Sequence, residues 1–556
     1  MAASLVARPM PSLPPPITST HERLLRVVRA GALAFFGALL LVRLVASLDW
    51  RMEHDTPLLH YAAWLMHEHG RMPYRDVFET SMPGTFAFHY AVVSVLGTSD
   101  AAFRAIDLVL LGLVAALILR AMQPFGRATG LWAVVIFGHV YLAHGQTMSL
   151  QRDYLGMIPV LAALALMPSR AAAQVRLGVF AAVGVLFGLA FLIKPHLPIG
   201  LPVVLAFMLA HPHGLRACPR VQFVRALGAC AAGFSLPLII TGGWLAWHGA
   251  LAPFLAMFTQ YLPLHNSMIG THEAVSPSVR LLHIIERTIS FGGLGGLFIL
   301  GLFGHYHLTT QQPTAEPRVR RWKNCLLGLL IAYAIYPALA GKFWDYHYMP
   351  MMLMAALSGG LAAASAGENR EPSAASARLL PGILALAIIV FTLIILPVIY
   401  VSNLQLWGDL TGPSQQHAPK AGRVDAIARY LEAHLEPGDT VQPLDWTGGS
   451  IHAMLIARAP LATRYMYDYH FYHHVSRPLN SHMRREFLDQ LEAAQPRFII
   501  EVETNKPWVS GIDSSRRFEE LRAFVDAHYI CAHEGDGYRI HEHRQHTPHA
   551  PTAGES

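Results

Sequence analysis

Four short clusters of ionisable and aromatic residues stand at the ends of long apolar runs. They are Trp50-Arg51 with Glu53-His54-Asp55, then Gln151-Arg152-Asp153, then Lys194-Pro195-His196, and finally Gly341-Lys342-Phe343-Trp344-Asp345-Tyr346-His347-Tyr348. Charged groups beside membrane-length apolar segments are costly, so they are functional candidates by default. Asp55 has the chemistry of a general base, which makes a hydroxyl nucleophilic by taking its proton. Asp153 is the second candidate catalytic acid. Lys194, Lys342, Arg152 and protonated His347 have the chemistry to hold a phosphate or a developing negative charge. Glu53, His54, His196 and Trp344 are candidate substrate contacts. Plainer roles compete with these. Asp-Thr-Pro ahead of an apolar helix makes Asp55 a good helix cap. Asp153 is adjacent to Arg152 and suited to pair with it, and the lysines suit snorkelling to the interface.

The composition says what must position these groups. The chain has 556 residues, 53% apolar and 14% charged, where a soluble domain carries about 25% charged residues. Disorder, a collagen-like repeat and an ordinary soluble enzyme are excluded. A polytopic membrane protein remains. The net charge of +6 is no nucleic-acid signal, because Lys and Arg sit in short clusters between apolar runs. The four cysteines form no CxxC pair, so neither a zinc site nor a disulfide framework is indicated. Among the 31 histidines, His470, His473 and His474 suit two ligands on one helical face, but spacing fixes no acid beside them. His67-Glu68-His69 is not the HExxH zinc motif, and His541, His543, His546 and His549 read as a solvated tail.

Residues 1–22 read as a disordered cytoplasmic tail and 23–402 as the membrane domain. Apolar runs of spanning length lie near 30–48, 101–122, 128–145, 154–168, 177–193, 197–211, 226–247, 284–306, 324–340, 347–365 and 379–401, about eleven in all. Arg and Lys concentrate in alternate loops: Arg23, Arg26 and Arg29; Arg120 and Arg127; Arg170 and Arg176; Arg216, Arg220 and Arg225; Arg318, Arg320, Arg321 and Lys323; Arg370 and Arg378. By the positive-inside rule those loops are cytoplasmic, the N-terminus is inside, and all four clusters face outward. The outer loop 49–100 carries two interfacial helices, Pro57–His69 and Pro83–Leu96. Residues 403–542 alternate helix-like and strand-like segments, an outward-facing small α/β domain. Residues 543–556 read as a second disordered tail.

At this point the sequence resembles a family. Glu53-His54-Asp55, Pro73-Tyr74-Arg75-Asp76, Phe78-Glu79, Met82-Pro83-Gly84 and Leu96-Gly97 resemble the first outer loop of the GT-C glycosyltransferases, in particular the aminoarabinose transferases and the dolichyl-phosphate-mannose protein mannosyltransferases. Phe103-Arg104, Arg152-Asp153-Tyr154-Leu155, Gly188 through Pro195 and Gly341-Lys342-Phe343-Trp344 continue it in order. The resemblance implies a sugar donor linked to polyprenyl phosphate, a cell-envelope acceptor and transfer on the outer face of the cell membrane, usually with inversion. It implies Asp55 as general base and Asp153 as second acid, which helps bind the acceptor or, in some members, a divalent metal. It implies cations on the donor phosphate and no nucleotide. One departure stands out: Ser81-Met82-Pro83-Gly84 lacks the Lys that several members carry before this helix. Two other readings stay open, a transporter or flippase of lipid-linked saccharides and a non-catalytic envelope-polymer-binding member of the same fold.

Overall fold

The computed structural model describes residues 20–167, 177–210, 220–311, 316–363, 383–384, 386–394 and 419–545. Residues 1–19 and 546–556 of the two expected tails lie outside these, as do Arg170, Arg176, Arg216, Arg370, Arg378 and much of the expected span 379–401.

The membrane domain is built from helices α1 (Thr20–Ala46), α2 (Thr56–His69), α3 (Pro83–Leu96), α4 (Asp100–Met122), α5 (Arg127–Ala143), α6 (Arg152–Ala165), α7 (Leu177–Ile193), α8 (Leu201–Leu209), α9 (Arg220–Trp247), α10 (Leu251–Ala256), α11 (Leu262–Ser267), α12 (Pro277–Ser290), α13 (Gly295–Gln311), α14 (Pro317–Ala340) and α15 (Met349–Gly360). Among the described residues, four helical stretches are long and apolar enough to cross a membrane: Arg26–Ala46, Asp100–Phe125, Arg220–Trp247 and Pro317–Ala340. The apolar runs near 128–145, 154–168, 177–193 and 197–211 form shorter helices. Glycine lets helices approach closely where no hydrophobic force drives them together. A Cβ on Gly188 of α7 would meet the Phe234 carbonyl oxygen of α9 at 2.5 Å. α15 is buried along its whole length.

Two expectations change. The run 284–306 is not one straight helix: α12 and α13 meet at a 70° bend. Phe291, Gly292 and Gly293 all adopt positive φ there, and a glycine pair is a poor helix interior. α12 exposes Leu281, Leu282, Ile285 and Ile289 on one stripe. The second change concerns α2. It is not an interfacial helix lying on a surface but is buried from Thr56 to Leu65. Its apolar residues run around most of its circumference, which suits an interior helix.

The C-terminal domain has helices α16 (Arg423–His434), α17 (Ser450–Ile456), α18 (Pro478–Ala494) and α19 (Glu519–His528). Strands β2 (Val441–Leu444), β3 (Phe498–Val502), β5 (Tyr529–Gly535) and β6 (Tyr538–His543) form a sheet of order β2-β3-β6-β5. β2 and β3 are parallel; the other two pairings are antiparallel. β1 (Glu273–Ala274), in the loop before α12, pairs with β4 (Ser510–Gly511) of this domain.

That pairing is one of several ties that seat the domain on the membrane domain, and the others reach the segment 49–100. Arg51 donates to Asp100 at 2.5 Å and to both Asp425 oxygens at 2.9 and 3.0 Å. The Tyr61 hydroxyl donates to the Ala459 carbonyl at 2.7 Å, and Arg464 to the Tyr74 carbonyl at 2.6 Å. Beneath them, in α4, buried Arg104 pairs with buried Asp107 and donates to the Ser47 carbonyl at 2.8 Å. Tyr141 also donates to Asp107 and accepts from the Leu150 amide at 3.4 Å. The network thereby fixes the backbone ahead of each candidate acid, at Ser47 before Asp55 and at Leu150 before Asp153.

Replacing Asp107 with Ala leaves a guanidinium that is 2% exposed without its carboxylate. Breaking a buried pair from one side costs about 3–5 kcal/mol. Thermal unfolding of purified D107A should show this as a clear drop in Tm; an unchanged Tm would remove the network from the stability of the fold.

Candidate active site

Asp55 occupies the N-cap position of α2, yet its side chain makes no capping hydrogen bond. His54, just before it, holds φ at 57°, which turns the carboxylate elsewhere. One Asp55 oxygen lies 2.9 Å from His54 Nδ1 and the other accepts from Arg152 Nη2 at 2.7 Å. The cap role is therefore not the one Asp55 plays. Arg152, the first residue of α6, follows Leu150, whose φ is 51°. Its second amine donates to Ser81 Oγ at 2.8 Å. Ser81 Oγ donates to Glu79 at 2.9 Å, and the Tyr467 hydroxyl donates to the other Glu79 oxygen at 2.6 Å.

Asp153 does not pair with Arg152. Adjacent helix residues do not face each other, and Asp153 points into the bundle, fully buried. There it accepts from the Tyr336 hydroxyl and lies 3.3 Å from Lys194 Nζ. It supports Lys194 from below.

Lys342 follows Gly341, which closes α14 in the left-handed conformation. Lys342 is 3% exposed, and its Nζ has no hydrogen-bond partner among the described residues. It sits 5.8 Å above the Trp344 ring. Neither nitrogen of buried His347 has a hydrogen-bond partner there.

These side chains open onto one cavity. It gathers Asp55, Arg152, Lys194, His196, Lys342, Trp344 and His347. Glu53 and His54 line a smaller cavity next to it, and Asp153 lines neither. The sequence reading missed the far wall, where the C-terminal domain adds Trp446, Tyr467, Tyr469 and His470. His470 stood out only as one of three close histidines, and no local signal marks the other three: Tyr467 reaches Glu79 across 388 residues of chain. Glu79 itself stood in the loop pattern without an assigned role.

Burial works against the Asp55 carboxylate, but the charges of His54 and Arg152 outweigh it and hold its pKa well below the usual carboxylate range. Burial also opposes a charge on His54, and Asp55 raises its pKa nonetheless. Burial pushes His196 down to about 4 and His470 to about 3, so both are neutral hydrogen-bonding groups. Burial, with Arg280 nearby, pushes the Lys342 ammonium down to about 7. An unpartnered, dehydrated ammonium in a cavity is ready to accept an anion.

The residues do not fit a divalent metal at the second acid. Tyr336 takes one Asp153 oxygen and a lysine cation faces the other. The Asp55 oxygens are held by His54 and Arg152, and among the described residues no three His, Cys, Asp or Glu side chains converge.

Residues 81–240 match the family model of the dolichyl-phosphate-mannose-protein mannosyltransferases. The matched stretch contains Ser81, Arg152 and Lys194 but neither Asp55 nor Lys342. No curated protein matches the sequence. Among solved structures, ArnT from Cupriavidus metallidurans bound to undecaprenyl phosphate shares the fold with a TM-score of 0.54 and 13% identity, over 92% of this chain and 98% of its own. The apo form of ArnT gives 0.51 and 14% over the same shares of the two chains. The archaeal oligosaccharyltransferase AglB from Archaeoglobus fulgidus, in complex with an inhibitory peptide and a dolichol-phosphate, gives 0.46 and 11%, over 92% of this chain and 75% of its own.

The Lys342 geometry carries a pH signature. Only the ammonium form attracts an anion, so affinity for a phosphate-bearing lipid should hold at low pH and fall as pH rises through about 7. The slope is at most about tenfold per pH unit. Binding of polyprenyl phosphate to the purified protein at a series of pH values measures it. K342M should bind weakly throughout and lose the slope; a slope unchanged in K342M would assign it to another group.

Proposed function

We propose, for a chain with the fold of the GT-C membrane glycosyltransferases, that it transfers one sugar from a polyprenyl-phosphate donor to a cell-envelope acceptor on the outer face of the membrane. The observation that carries this reading is the meeting of Asp55 with three cations, Arg152, Lys194 and Lys342, in one cavity. The residue types are those the reaction needs. ArnT, which has the same fold, is seen bound to undecaprenyl phosphate, and a polyprenyl phosphate suits the cations of this cavity.

In this reading the acceptor hydroxyl attacks the anomeric carbon as its proton passes to Asp55. The bond from that carbon to the phosphate oxygen breaks, and the electron pair leaves with the lipid phosphate. Charge grows on the phosphate as it leaves, and cations already in place stabilise it without reorganising. Asp55 is a weak base while Arg152 holds it. A phosphate that draws on Arg152 and Lys342 loosens that hold, so proton affinity at Asp55 rises when donor is bound. Ser81 stands where several relatives carry a lysine; it takes a bond from Arg152 instead, and Lys342 is the cation left to meet the phosphate.

The test is transfer of label from a panel of polyprenyl-phosphate sugars by the purified protein, with membrane extract as acceptor source. D55N should lose about a hundredfold or more in kcat, the share of a general base, while donor affinity changes by only a few-fold. Transfer by D55N at the native rate would remove Asp55 from the chemistry. Labelled lipid crossing the bilayer of proteoliposomes, without transfer and without effect of D55N, would replace the enzyme by a transporter.

A further inference from the structure

A smaller hollow lies at the junction of the outer loop and the C-terminal domain. The two cavities share only Leu58 and Trp446 as lining. Asp55 lines the larger one and His54 the smaller, and the two side chains are 2.9 Å apart. Trp446 therefore stands between the two hollows. We propose that this junction is the acceptor's approach, that Trp446 is the platform for its sugar ring, and that the acceptor is consequently a saccharide. The proposal rests on the reading of the large cavity as a glycosyl-transfer site.

The loop carrying Trp446 is built to hold one shape. Asp445, fully buried at the end of β2, accepts from the Trp446, Gly448 and Ser450 amides at 2.6, 2.8 and 3.0 Å and from the Ser450 hydroxyl at 2.7 Å. The end of a strand in a parallel pair is where α/β domains place ligand-binding loops. Trp446 packs on His272 at 4.3 Å and on Tyr469 at 4.8 Å between ring centroids. Those neighbours come from both domains, so the indole is braced from both sides while remaining partly exposed between the cavities. A rigid aromatic face offers large apolar contact at low entropic cost, and the apolar C–H face of a pyranose is a flat partner for it. Polar groups for ring hydroxyls stand beside it: Glu53 and Lys420 form a loose pair at 3.8 Å, each about one-third exposed, and Thr447 is adjacent.

A polypeptide acceptor fits less well. Extended peptides bind by adding to a strand edge, and no residue lining either cavity belongs to a strand. The donor is lipid-linked and meets the cations through the membrane domain. Donor and acceptor then approach Asp55 from different sides, as a displacement at one carbon requires.

Binding, not turnover, decides the matter. The full-length protein in lipid nanodiscs is titrated with neutral tetrasaccharides of glucose, mannose, galactose and N-acetylglucosamine, and with a Ser/Thr-containing decapeptide. At least one tetrasaccharide should bind the native protein. W446F should lose less than about threefold and W446A at least about tenfold, with W247F, at an exposed position at the end of α9, as the control that changes nothing. Native-like Tm values check that the variants fold. Absence of saccharide binding by the native protein, or equal binding by W446A, overturns the proposal. Peptide binding that W446A abolishes would overturn it too, and make the acceptor a polypeptide. Saccharide binding lost in W446A, in a protein that transfers no sugar from any donor, would leave this site standing and refute glycosyl transfer instead.

Discussion

A guanidinium cannot be left unpaired inside a protein, and Arg152 is where this chain meets that constraint. Its fork reaches Asp55 on one side and Ser81 on the other, so a single side chain joins the start of α6 to the residues that precede α2 and α3. Charge-assisted bonds of this kind are short and directional. They fix the carboxylate against the pull of its own helix, whose free amides would otherwise take it as a cap. The cost is paid in backbone strain: His54 and Leu150, one before each partner, both hold positive φ. Such positions persist only where the surroundings over-determine them, and here the Arg104–Asp107–Tyr141 network does so from below.

The same constraint explains how the charges divide. Asp55 has Arg152 and His54; Asp153 has Lys194 and Tyr336. Lys342 is left with a tryptophan ring and no carboxylate. In a low-dielectric cavity an unpaired ammonium either sheds its proton or attracts an anion. The arrangement stores a demand for negative charge at one end of the cavity while keeping the carboxylate at the other end ionised. Neutral histidines, among them His196 and His470, fill the remaining wall without adding charge.

Part of this was readable from the chain. Ionisable residues at the ends of apolar runs are conspicuous because insertion penalises them, and that is why Asp55, Arg152, Lys194, Lys342 and His347 could be named and do share a cavity. Spacing could not say which way adjacent residues point, so Arg152 and Asp153 looked like partners and are not. The bend between α12 and α13 was visible as Gly292-Gly293 but lost against the hydropathy of the whole run. The wall from the C-terminal domain was unreadable, because Trp446, Tyr467, Tyr469 and His470 acquire their role only through contacts hundreds of residues away. An isolated Trp after Asp445 in a short strand-like run carries no mark of the cavity it lines.

That last point bears on how the two domains relate. Had the C-terminal domain been a tethered accessory, the segment 49–100 would need a closed core of its own. Instead α2 is covered by α3 and also by α17, and Tyr61, deep in α2, donates its hydroxyl to the Ala459 carbonyl. The polar ties at Arg51, Asp100 and Asp425 then set register over an apolar contact that is already obligatory. Because β1 and β4 join the domains at a second place, a rigid shift of the C-terminal domain would have to break both seams and expose α2. The cavity's far wall is therefore as fixed as its charged wall, and a ligand that fits it meets a preformed site.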